Sequence, residues 1–167
     1  VRDVTGIGHF IGEYTLHEPG DGDGIKADDF LLVANKLEPF AFVDTDGKVI
    51  ITIDESFITD GATTPWFLQS VPWLRRYGRI RRAAFCHDWA WTLHHLGREL
   101  FGFWKSNAMF YRACRVCGLS VFEAGTCWLA VTLFGWPMWM GKERCQAKAR
   151  AKVNIAGVVM RQKGIVR

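Results

Sequence analysis

Phe40-Ala41-Phe42-Val43-Asp44-Thr45-Asp46-Gly47-Lys48-Val49-Ile50-Ile51-Thr52-Ile53 is the stretch that decides the fold class. An apolar run enters it and an Asp/Gly turn interrupts it. Val49, Ile51 and Ile53 then recur at every second position, the period of a strand with one buried face. Asp46-Gly47 supplies the positive-φ preference of a tight hairpin, so the segment reads as a hairpin in a small antiparallel sheet. Upstream, Phe30 to Val33 reads as a further strand. The Gly/Asp-rich opening of the chain reads as loops around one short strand near His9 to Thr15. After Thr59 the period changes. Thr64-Pro65 sets a hydroxyl N-cap before a proline at the first helical position and opens a short helix through Trp66, Phe67 and Leu68. Longer helices are expected from about Arg79 to His95, Lys105 to Cys117 and Val121 to Phe134, with Gly118 stopping the middle one. The class is therefore α+β, a small antiparallel sheet in the N-terminal part followed by a mainly helical C-terminal half.

A chain of 167 residues is the length of one domain with its own core. Hydrophobic residues at 49% and charged residues at 23% exclude a disordered or fibrous chain. The organisation expected is a Gly/Asp-rich segment over 1–29, a single α+β domain over 30–140 and a basic segment over 141–167. Eight Trp and twelve Phe call for a densely anchored core or a large aromatic contact surface. Val121 to Met140 is the most apolar stretch. Glu123, Gly135 and Pro137 interrupt it, whereas a membrane span takes about 20 predominantly apolar residues, so a buried core helix is expected. Membrane contact is the alternative, because Trp136 and Trp139 precede Lys142, Arg144, Lys148, Arg150 and Lys152 as an aromatic anchor would precede a basic juxtamembrane segment.

Charge is divided along the chain. Up to Asp60 there are 13 acidic and 4 basic residues; from Gly61 onward there are 17 basic and 4 acidic. Two ends of opposite potential suit association between copies or with an anionic partner, and argue against coating duplex DNA over the whole surface. Arg75, Arg76, Arg79, Arg81 and Arg82 form the densest cluster. Their mutual repulsion is relieved by a partner's carboxylates, which makes them the expected partner-binding residues; nucleic acid, through phosphate, is the secondary alternative.

Cys86, Cys114, Cys117, Cys127 and Cys145 are odd in number, and no basic n-region with an apolar h-region opens the chain, so reduced thiols are expected. Cys114 and Cys117 form a C-x-x-C without the second pair a zinc site needs, and read as two packed thiols on one helix. The run Asp21-Gly22-Asp23-Gly24 fails as a calcium loop, since its twelfth position is Leu32 and supplies no bidentate carboxylate. No G-x-S-x-G, Walker loop, H-E-x-x-H or Rossmann glycine pattern is present.

Four ordered segments carry a resemblance: Phe57 to Pro65, Ala83-Ala84-Phe85-Cys86-His87-Asp88-Trp89-Ala90-Trp91, Lys105 to Phe110, and Leu129-Ala130-Val131-Thr132-Leu133-Phe134-Gly135. Together they resemble the DUF1353 family of bacteriophage and prophage proteins, with its F-x-T-D-x-A-S-x-P, A-A-x-x-H-D-x-x-Y and late L-A-V-x-x-F-G patterns. The resemblance covers about half of the chain, roughly Val49 to Gly135. It implies a phage origin and a small α+β domain, and supplies no established activity. Asn107 stands where that pattern tends to carry Asp, and Trp91 where it carries Tyr.

Asp60, His87 and Asp88 are the candidate catalytic residues. A loop carboxylate converging on a helical His-Asp pair can orient an imidazole as general base. Asp60, His87 and Asn107 are the candidate metal ligands, although Asn in place of Asp removes a charge and weakens the set. On a helix, His87 and Asp88 point about 100° apart and are not automatic partners. His94 lies two turns on from His87 with Trp91 between, and His95 lies on the flank. The competing role of these residues is a buried polar network beside Trp66, Trp89 and Phe110, which is favoured because buried polar groups exist only when paired.

The expectation is thus a virion structural or morphogenesis protein, associated with the tail or neck and assembled in the host cytoplasm. It would have no cofactor, and would contact other virion proteins and copies of itself. The alternatives are a hydrolase of the host envelope using the His-Asp site, with a divalent metal in support, and a peripheral membrane protein using Trp136 and Trp139.

Overall fold

The computed structural model describes residues 7–18, 29–59 and 79–165. Asp60, Arg75 and Arg76, the Asp21 to Gly24 run and the short helix expected after Thr64 lie outside the described residues. Among those described, two three-stranded antiparallel sheets precede four helices, so the α+β class holds.

The first sheet has the order β1 (His9–Ile11), β4 (Phe40–Val43), β5 (Val49–Ile53), and the second β2 (Tyr14–His17), β3 (Phe30–Ala34), β6 (Phe57–Thr59). The single strand expected near His9 to Thr15 is in fact two. Gly12 (φ +72) breaks it, and a Cβ there would collide with the Pro39 backbone, so only glycine lets the chain cross from one sheet to the other. The hairpin forms as the period-2 pattern requires, pairing Phe40 with Ile53 and Phe42 with Ile51. Its turn is organised by Asp44, whose Oδ1 accepts from the backbone of Asp46 (3.0 Å) and Lys48 (2.9 Å), while Gly47 takes the left-handed conformation (φ +76).

The helices are α1 (Arg81–His95), α2 (Phe103–Val116), α3 (Val121–Met140) and α4 (Glu143–Gln162). Leu32, Phe40, Phe42, Ile51, Ile53 and Phe57 from both sheets close on Phe85 and Trp89 of α1, Phe110 of α2, and Ala124 and Cys127 of α3. Trp89 is fully buried at the centre, with its indole N–H donated to the Thr52 carbonyl at 2.9 Å. Gly118 (φ +86) ends α2, as expected. Ser120 and Glu123 then start α3 with a reciprocal cap, Glu123 N to Ser120 Oγ at 3.2 Å and Ser120 N to Glu123 Oε2 at 2.7 Å.

Two helical expectations are corrected. α3 does not end at Phe134 but continues through Pro137 to Met140. Beyond the proline, the carbonyls of Met138 and Trp139 accept from His95 Nε2 and His94 Nε2, each at 3.1 Å, so α1 holds the turn that a proline would otherwise fray. Nor is α3 a buried core helix, since only Ala124, Cys127 and Trp139 are buried along it. The segment after residue 142, read in sequence only as basic, folds as α4. Its Ala156 and Val159 cover Leu31 and Ile58 on the face of the second sheet that points away from the main core. That sheet is therefore covered on both faces, which is why Phe30 to Leu32 and Phe57 to Thr59 are buried without alternation.

Candidate functional site

α1 carries the His-Asp pair, and its packing sends the two side chains to different helices. His87, half-buried, donates from Nε2 to Asn107 Oδ1 of α2 at 3.0 Å, and Asn107 Nδ2 donates in turn to Thr132 Oγ1 of α3 at 3.1 Å. Asn107 is fully buried, and the His87 ring lies 4.9 Å from that of Phe110. The chain of bonds ties three helices together. Asp88 instead receives Lys152 Nζ of α4 on both carboxylate oxygens, each at 2.8 Å, with only 14% of the Asp88 and 8% of the Lys152 side chain exposed. The ammonium also sits 5.6 Å from the centre of the Trp91 ring.

His87 and Asn107 are thus brought together, whereas Asp88 is turned away from them by the 100° step of the helix. Asp60 lies outside the described residues. Among the described residues no three His, Cys, Asp or Glu side chains converge as a metal set. The partners Thr132 and Lys152 are not legible as site residues in the sequence. Lys152 is one basic residue among several in the C-terminal segment, and a threonine on an apolar helix carries no signal of its own.

A second polar cluster closes the far end of α1. His94 stacks on Trp139 (4.1 Å between ring centres, 18° between planes), and His95 meets Trp91 edge-on at 4.4 Å. Trp139 is buried there, so of the two tryptophans read as a membrane anchor only Trp136 reaches the surface. No helix among the described residues is long and apolar enough to cross a membrane.

Burial pushes the pKa of His87 down, partly offset by its bond to Asn107. His95 is lowered by burial and by neighbouring His94, against its bond to the Met138 carbonyl. A depressed histidine pKa means the unfolded chain binds the proton more readily. Stability is therefore complete above the unfolded value of 6.5 and is lost as the pH falls from there through the folded values. Urea unfolding from pH 8 to pH 5 should show a midpoint that declines below about pH 6.5, with a shallower decline in His95→Gln. A midpoint flat or rising over that interval contradicts the assignment.

The arginine cluster is only partly available. Arg79 is spent within the chain, on the Gly118 carbonyl and on Glu123 Oε1, both at 3.1 Å, while Arg81 is half-buried and Arg82 exposed. All five cysteines are free. Cys114 is buried and its thiol held above the ordinary range by burial, and Cys117 is pushed up to about 11 for the same reason. Neither carries the lowered pKa of a redox C-x-x-C.

The family model for DUF1353, described as a protein of unknown function, matches residues 35–131. The chain belongs to the DUF1353 family. The match runs from just before β4 into α3, so His87, Asp88 and Asn107 fall within the DUF1353 segment while Lys152 and the whole of α4 fall outside it. No curated protein and no solved structure matches the chain.

Proposed function

We propose that this DUF1353 protein is a bacteriophage virion component, placed at the tail or neck, that works through protein–protein contacts. The observation that carries this reading is the outer face of α3. Phe122, Leu129, Leu133, Trp136 and Met140 are 46 to 75% exposed on a helix without a charge between Glu123 and Lys142. A soluble chain leaves such a surface open only where something else covers it. The polar residues best suited to catalysis are engaged as cross-links between helices, which favours a contact protein over an envelope hydrolase. The phage setting rests on the sequence resemblance.

The test is an epitope-tagged copy in the producing phage or prophage, followed by gradient-purified particles. The chain should be present in particles at a fixed ratio to the other virion proteins, and His87→Ala should reduce its amount only in proportion to lost stability. Absence from particles overturns the proposal. So does release of soluble fragments from host envelope by the purified protein, lost in His87→Ala while the variant stays folded; that result selects the hydrolase.

A further inference from the structure

The exposed face of α3 has a finer pattern than general hydrophobicity. Phe122, Thr126, Leu129, Leu133, Trp136 and Met140 follow one another at spacings of four, three, four, three and four residues. This is the alternation of the two apolar positions of a heptad, which keeps a narrow seam on one side of a helix facing a partner helix. Five of the six are exposed and Thr126 is half-buried, while Ala124, Cys127 and Trp139 are the buried residues of the same helix.

The seam is also symmetric about its middle. Turned end for end around the midpoint between Leu129 and Leu133, it sets Phe122 against Met140 and Thr126 against Trp136, a flexible or small side chain opposite a large one, and Leu129 against Leu133, like against like. Antiparallel helix dipoles attract as well. The open apolar surface is on the order of 700 Å². That exceeds the roughly 300–600 Å² a monomer leaves in its largest patch and approaches the ~800 Å² that each side of a standard interface supplies.

We propose that α3 pairs with α3 of a second copy of this chain, the two helices antiparallel about a two-fold axis between Leu129 and Leu133. This names the partner of the contact face and so rests on the proposed contact function. The pairing is isologous, each copy giving and receiving the same residues, and it closes at two.

The experiment is sedimentation velocity on the purified full chain at micromolar concentration. The wild type should be a dimer. Phe122→Lys and Met140→Glu, each at an exposed position and each checked for an unchanged circular dichroism spectrum, should weaken dimerisation at least about a hundredfold by placing a lone charge in an apolar seam. The double variant Phe122→Lys/Met140→Glu should dimerise again. Antiparallel pairing sets each new ammonium against a new carboxylate of the other copy, whereas parallel pairing would set like charges together. A double variant as monomeric as the single ones overturns the arrangement. A monomeric wild type overturns the pairing, whether it stays free or binds vesicles of phosphatidylglycerol. A monomer that still enters particles leaves the virion proposal standing, and a dimer absent from particles does the reverse.

Discussion

Lys152→Met is expected to destabilise the protein by about 3–5 kcal/mol, the cost of removing one member of a buried ion pair. Lys152 meets both oxygens of Asp88 at 2.8 Å in a setting where little of either side chain reaches water. The loss would be a large part of the roughly 5–15 kcal/mol that holds a domain of this kind together. Asp88→Leu alone should cost a similar amount by removing the other member of the pair. The double variant Asp88→Leu/Lys152→Met should recover most of the loss, because a buried ion pair replaced as a unit by apolar groups is close to neutral. Urea unfolding of the four proteins measures the coupling. If Lys152→Met costs under about 1 kcal/mol, the pair is not a cross-link between α1 and α4, and Asp88 returns to the candidates for chemistry.

Asn107→Ala should cost about 2–4 kcal/mol, since it strands His87 Nε2 on one side and Thr132 Oγ1 on the other in a buried setting. Asn107→Asp separates a structural from a catalytic role. It places at this position the carboxylate that the sequence resemblance implies, and a carboxylate beside the imidazole favours the protonated ring. The His87 pKa should therefore rise, followed by its ring proton resonances in a pH titration. The stability lost by Asn107→Ala and the raised His87 pKa in Asn107→Asp are both expected without any new activity. A stoichiometric divalent ion bound by Asn107→Asp and released by adding His87→Ala would instead mark the position as a metal site altered in this chain.

Some of this was written in local sequence. Alternation at Val49, Ile51 and Ile53 and the Asp44 to Gly47 turn specify the hairpin because strand period and turn conformation depend on neighbours a few residues away. Gly118 specifies the end of α2 in the same way, and the 100° step of a helix already separated His87 from Asp88. What tertiary structure alone decided lies at greater range. α4 is not legible as a core helix because its buried face is Ala149, Lys152, Ala156 and Val159, two alanines and a lysine among them that carry little apolar signal until Trp91 and Trp139, Asp88 and the second sheet are set against that face. α3 misled in the opposite direction. A helix apolar on every side marks no inner face, so its sequence could not tell Trp139, buried against His94, from Trp136, left at the surface. The extension past Pro137 depends on two imidazoles more than forty residues away along the chain. Hydrogen bonds and ion pairs between distant residues leave no periodicity behind, and only the packing of one helix on another determines which polar groups meet.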